Sequence, residues 1–210
     1  MLHIDEMKRL LEIAKRVQAL AQNGLFYTES DFDRERYEEL QELSVEAMSL
    51  LTDQPIEKLA LHLENPFGYA TPKVDVRGVV FRDGKLLMVQ EQEDNLWSIP
   101  GGWADIGFSP NEIAVKEVFE EAGLVVEAKK LIGIVDKKFY THPSSPFYVY
   151  KIFIHCEYLS GELRPNHETM GLGFFDQKEI PPLSSGRIAP EYIERIFDFY
   201  TNPGQHAWVD

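Results

Sequence analysis

Residues 101–124 read GGWADIGFSPNEIAVKEVFEEAGL. Glu117, Glu120 and Glu121 stand at helical spacing shortly after the paired glycines Gly101 and Gly102. On an ideal helix, with Glu112 at zero, Glu120, Glu117 and Glu121 fall at roughly 80°, 140° and 180°. Ala114, Val118, Ala122, Val115 and Phe119 fall between roughly 200° and 340°. The stretch therefore predicts an amphipathic helix with its apolar arc on a sheet and its acidic arc in a solvated cleft. Like charges on neighbouring turns repel. Hard oxygen ligands gathered around Mg²⁺ or Mn²⁺ remove that repulsion, because the cation neutralises the group. The plain alternative is a solvated acidic helix, in a chain with 35 Asp and Glu against 21 Lys and Arg.

The flanks decide between the two. Trp97-Ser98-Ile99-Pro100 leads into the glycines, and Gly123 stands where a helix C-cap belongs. Taken from Gly102, the segment resembles the signature of the Nudix hydrolases, G-x5-E-x7-R-E-U-x-E-E-x-G-U, with U a bulky aliphatic residue. The match runs through Glu117, Val118, Glu120, Glu121, Gly123 and Leu124. Two positions depart from it: the first glutamate falls at Phe108 and the arginine at Lys116. Phe108 cannot bind metal, and lysine keeps the charge of arginine without its planar fork. Glu112 either stands in for the missing carboxylate or favours the helix N-terminus through the dipole.

The resemblance implies a Nudix fold, an α/β/α sandwich around a mixed sheet. It implies Mg²⁺ or Mn²⁺ held by Glu117, Glu120 and Glu121, with the Gly101 carbonyl as a further ligand. Clustered metal would activate water and clamp diphosphate oxygens. For the general base it offers a motif carboxylate such as Glu120, or Glu168 in the late loop Asn166-His167-Glu168. Lys116 takes the place of the arginine that holds a catalytic glutamate. His167 is expected at the surface or against substrate, since hard oxygens already supply the ligands.

Working outward, the chain has 210 residues, enough for one medium domain or a domain with a small companion. Residues 4–22 carry Ile4, Met7, Leu10, Leu11, Ala14, Val17 and Leu20 near helical spacing, and Asn23-Gly24 reads as the stop. A second helix is expected over 31–51 with Tyr37, Leu40, Leu43, Ala47 and Leu50 buried, and a short third over 55–63. The domain reading is 1–64 helical, 65–72 linker and 73–210 catalytic. From Lys73 the periodicity is that of strands: 73–81, a turn at 82–85, then 86–90, 124–135, 147–159 and 172–176, with a last helix over 189–201. The tail 202–210 shows no clear pattern.

A helical hairpin this small buries little area alone, so it should lean on the catalytic domain or on a second subunit as a homodimer. A helical domain ahead of a Nudix domain resembles a Gram-positive bacterial subgroup that includes enzymes acting on CDP-choline. That makes CDP-choline the leading substrate, with ADP-ribose or a nucleotide sugar as alternatives. Short single-stranded RNA at the same metal site is a further possibility, and a catalytically silent binding module is another. Phe139, Tyr140, His142, Phe147, Tyr148 and Tyr150 crowd one loop and strand and could stack a base or box a quaternary ammonium group. Arg77 either faces the diphosphate or meets a partner charge.

Charge and composition narrow the partners. The net charge is −14, and residues 1–64, with 7 Lys and Arg against 14 Asp and Glu, hold half of it. No basic arm exists to bind duplex nucleic acid strongly. No apolar run reaches membrane-spanning length and no signal-peptide pattern opens the chain, so a cytoplasmic enzyme is expected. Cys156, the one cysteine, rules out an intramolecular disulfide.

Overall fold

The computed structural model describes residues 4–52, 55–56, 68–140, 143, 145–165 and 169–210. The chain divides into two compact units, one of residues 1–72 with 144–148, the other of 73–143 with 149–210. The expected third helix lies almost wholly outside the described residues.

The first unit is a pair of helices, α1 (Ile4–Tyr27) and α2 (Asp31–Thr52). Helix α1 continues through Asn23-Gly24 instead of stopping there. Gly24 serves contact, not termination: a Cβ there would stand 2.4 Å from the Tyr37 ring of α2. The buried seam also differs from the expected one. Leu11, Ala14, Val45 and Met48 form it, while Leu20, Leu40, Leu43 and Leu50 are exposed. Spacing alone cannot rank two apolar stripes on one helix; the stripe that meets the other helix is the one buried. Helix α2 starts as its sequence predicts, with the Ser30 hydroxyl accepting from the Asp33 amide at 3.4 Å.

The second unit is a mixed sheet. Its strands are β1 (Lys73–Arg82), β2 (Lys85–Glu91), β3 (Trp97–Ser98), β4 (Gly101–Trp103), β5 (Leu124–Asp136), β6 (Val149–Gly161), β7 (Thr169–Phe175) and β8 (Trp208–Val209). The order β3-β2-β1-β6-β5-β8 forms the main path, with β4 on β1 and β7 on β2. The β1–β6 and β5–β8 pairs are parallel; the rest are antiparallel. Asp83, at φ 54, and Gly84 make the tight hairpin turn.

Alternation along β1 sends its apolar residues to opposite faces. Val76 and Val80 pack with Ile113, Ala114, Val118 and Ala122 of α3 (Pro110–Ala122). Val79 packs with Phe153 and with Tyr192, Ile196 and Phe197 of α4 (Pro190–Thr201). The sheet is thus covered by a helix on each side, the mixed α/β architecture expected. Gly78 permits close approach of α3, since a Cβ there would meet Val118 Cγ2 at 2.5 Å.

The tail contributes what its sequence does not announce. Trp208 stacks on Phe153, and the Asp210 carboxylate accepts from the Asp136 amide at 2.8 Å. Gly133 makes room, because a Cβ there would stand 2.7 Å from the Trp208 ring. Among the described residues no helix is long and apolar enough to cross a membrane.

Candidate active site

Helix α3 owes its position to both ends. Ser109 is the N-cap in a full capping box, and Pro110 fits the first turn. Gly123 closes the helix at φ 73, its amide donating to the Phe119 carbonyl at 2.9 Å. Glu112 is the reciprocal half of the box. Its carboxylate accepts from the Ser109 amide at 2.8 Å and from the Ser109 hydroxyl at 2.7 Å. Those bonds lower its pKa. Glu112 thus caps α3, the helix-terminus role that its position offered beside that of a stand-in carboxylate. Phe108, in the place of the signature's first glutamate, is half-exposed.

The buried arc of α3 is rotated from the expected one. Phe119 is 57% exposed, whereas Glu121 is only 8% exposed. On the helical wheel the buried residues centre nearer 200° than 270°, which brings Glu121 inside and leaves Phe119 out. Glu121 is held by the Gly101 amide, which donates to its Oε2 at 3.2 Å. Burial pushes its carboxyl up to about 8; Arg77 opposes this, while Glu91 and Glu117 add to it. Burial also raises Glu117, against the pull of Lys116.

Gly101 has φ 147, and a Cβ on it would fall 2.1 Å from the Val76 carbonyl oxygen. At Gly102 a Cβ would stand 3.3 Å from Glu117 Oε2. Bare glycine backbone is thus pressed against two of the three carboxylates.

Lys116 lies among them, with Nζ 3.3 Å from Glu117, 3.1 Å from Glu120 and 3.8 Å from Asp105. Its ammonium is stabilised first by Glu120. It supplies the counter-charge that three neighbouring carboxylates require. Among the described residues no three His, Cys, Asp or Glu side chains already enclose a metal position. The donor set of three carboxylates with adjacent backbone carbonyls still suits a hard divalent cation, which would take over the neutralising role of Lys116.

Arg77 meets a partner charge, one of the two roles its position offered. It is buried, with Nε 2.7 Å from Asp75 Oδ1 and Nη2 2.8 Å from Oδ2. Its Nη1 donates to the Ile99 carbonyl at 2.9 Å. Asp75 also receives buried Lys151 from the neighbouring strand at 2.9 Å. Burial would raise Asp75, but Arg77 and Lys151 outweigh it and hold the carboxyl well below the usual range. For Lys151 burial wins, pushing the ammonium down to about 7 despite Asp75. Two like-facing charges at i and i+2 of an apolar strand were the legible signal for this pairing. The partner Lys151 carried none.

The described aromatic residues of 139–150 that could stack a base have separate partners. Tyr140 donates to Asp210 at 2.6 Å and accepts from Trp208 Nε1 at 3.2 Å, so the tail engages its hydroxyl. Tyr148 belongs to the helical unit, with Lys15 Nζ 3.9 Å from its ring centre. Phe139 is exposed, its ring beneath Lys138. His142, His167 and Glu168 lie outside the described residues. Cys156 is buried and its thiol is pushed up to about 12 by desolvation, so it is inert.

The NUDIX domain model matches residues 71–196, and a model described as a UDP-X-like, N-terminal oligomerisation domain matches residues 8–62. The chain belongs to the Nudix hydrolases. It is 42% identical over 207 residues to YjhB of Bacillus subtilis, named provisionally as an ADP-ribose pyrophosphatase, covering 99% of this chain and all of that one. Among solved structures, it resembles an ADP-ribose pyrophosphatase of Streptococcus suis at 42% identity and TM-score 0.58, over 66% of this chain and 98% of that one. A UDP-X diphosphatase matches at 31% identity and TM-score 0.64, over 97% of this chain and 99% of the other.

Proposed function

We propose that the protein hydrolyses the pyrophosphate bond of a nucleoside diphosphate derivative, with ADP-ribose the leading substrate and a UDP-linked compound the second. The observation that carries the reaction is Glu121, buried on α3 and held by the Gly101 amide, beside Glu117 and Glu120. The substrate rests on relatives. YjhB, similar over nearly the whole chain, bears an ADP-ribose name, and the UDP-X diphosphatase spans both units. CDP-choline, the leading expectation from sequence, finds no support among these relatives, and neither does RNA.

Glu117, Glu120, Glu121 and the Gly101 carbonyl hold Mg²⁺ or Mn²⁺ in this reading. Such an ion, when bound, lowers the pKa of water and neutralises diphosphate oxygens. Glu120, 51% exposed at its side chain, is the motif carboxylate open to take a proton from attacking water. Lys116 bridges Glu117 and Glu120 and offsets their repulsion, a role that a bound cation would take over. The test is a panel of ADP-ribose, UDP-glucose and CDP-choline with Mg²⁺, products identified by mass. AMP and ribose 5-phosphate, formed with the highest kcat/KM of the panel, are expected; preferred turnover of CDP-choline would reverse the substrate order.

The helical unit acts as a homodimer interface in this account. Leu20, Leu43 and Leu50 are 66%, 54% and 78% exposed, an apolar surface that a second copy would cover. The oligomerisation model matched over residues 8–62 supports it. Light scattering at micromolar concentration should give twice the chain mass, and a monomer would count against the interface.

A further inference from the structure

Four consecutive residues, Ser98 to Gly101, run from β3 into β4, beside the carboxylate helix, and each is gripped. The Gly101 amide reaches Glu121 at 3.2 Å, Gly78 donates to the Pro100 carbonyl at 2.9 Å, and Arg77 donates to the Ile99 carbonyl at 2.9 Å. The fourth grip is Ser98, fully buried, whose hydroxyl donates to Glu91 Oε1 at 2.6 Å. Glu91 sits at the end of β2 with its side chain 13% exposed, and Arg187 Nε is 3.3 Å from the same oxygen. Arg187, from the segment before α4, is itself fixed, with Nη2 bonded to Glu93 at 2.6 Å and Nη1 to the Ser184 hydroxyl at 3.2 Å. Ser184 in turn donates to Asp94 at 2.7 Å, and its amide to the Trp97 carbonyl at 2.8 Å.

We infer that Arg187 is a positioning residue for the metal site, acting through Glu91 and Ser98 on the Gly101 loop and so on Glu121. This rests on the proposed metal role of Glu121. A largely buried anion at Glu91 without the Arg187 guanidinium would repel the carboxylates of α3 more strongly and leave the hydroxyl of Ser98 less firmly anchored. With Arg187 in place the anion is neutral to its surroundings and the loop has one geometry. Outer partners that orient a ligand govern metal affinity in this manner.

Mn²⁺ binding to the purified full chain, titrated by calorimetry and electron paramagnetic resonance, tests the inference without requiring turnover. Charge alone and positioning predict opposite signs for Arg187→Met. Removing a nearby cation would tighten Mn²⁺ binding; loosening the loop should weaken it by about tenfold. Arg187→Lys keeps the charge and loses the fork, so charge alone predicts no change and positioning predicts a weakening of about threefold. Weaker binding in both variants, with thermal midpoints that show both folded, is the expected result. Should Arg187→Met fail to fold, the lysine variant alone decides. Unchanged or tighter binding in the folded variants overturns the inference. A parent protein that binds no Mn²⁺ overturns the metal reading, and this inference with it.

Discussion

Asp75→Ala should lower stability by about 3–5 kcal/mol, because it strands two buried cations, Arg77 and Lys151, on one face of the sheet. For a chain of this size that corresponds to a fall in Tm of roughly 10 °C. All three side chains are nearly inaccessible, so water cannot replace the lost partner. The loss should be largest at low pH. Burial holds Lys151 down to about 7 in the folded parent although Asp75 raises it, so without Asp75 its folded value falls lower still, and the ammonium costs most below that pH. As pH rises through that lowered value towards the ordinary lysine range, the folded chain sheds the proton before the unfolded one, and stability recovers. Lys151→Met in the Asp75→Ala background should restore a substantial part of the loss, as partners in one network do not add independently. Thermal denaturation of the two variants from pH 6 to 9 measures this. A change in Tm under 2 °C for Asp75→Ala would show that the triad does not hold the strands.

Glu121→Gln should have the opposite signature: loss of activity with gain of stability. Removal of a charged metal ligand is expected to reduce kcat by about 10³-fold, equivalent to about 4 kcal/mol of transition-state stabilisation. The fold, by contrast, disfavours the ionised carboxylate. With the folded pKa raised to about 8, Glu121 contributes stability that is full below its unfolded pKa and is lost as pH rises to about 8. Glutamine keeps the shape and never ionises. In EDTA, the variant should therefore match the parent near pH 4.5 and melt higher near pH 8. Saturating Mg²⁺ should close that gap by stabilising the parent alone. A variant that melts lower at pH 8 in EDTA would mean that Glu121 serves the fold rather than the site.

How far the sequence carries the reader differs between the two units. The carboxylate helix was legible because its signals are local: paired glycines ahead of it, acids at fixed spacing and a terminal glycine. The strands of the sheet were legible from alternation, except β3, β4 and β8, which are too short to show a period. What was not legible depends on elements far apart in the chain. Lys151 meets Asp75 only because β1 and β6 run parallel in register. Arg187 meets Glu91 only once the segment before α4 is bonded to β3. Tyr140 meets Trp208 and Asp210 only once the tail is placed against it. Gly24 read as a stop because glycine usually is one; its role in admitting Tyr37 is visible only when both helices are in place.

Anomalous scattering from a crystal soaked in Mn²⁺ and an uncleaved ADP-ribose analogue addresses the central claim most directly. A peak ligated by Glu117, Glu120 and Glu121, with Lys116 turned away and the diphosphate beside it, is the result expected of a metal-dependent pyrophosphatase built on α3. Manganese bound elsewhere, with Glu117 and Glu120 still paired to Lys116 while the protein turns over ADP-ribose, would contradict it.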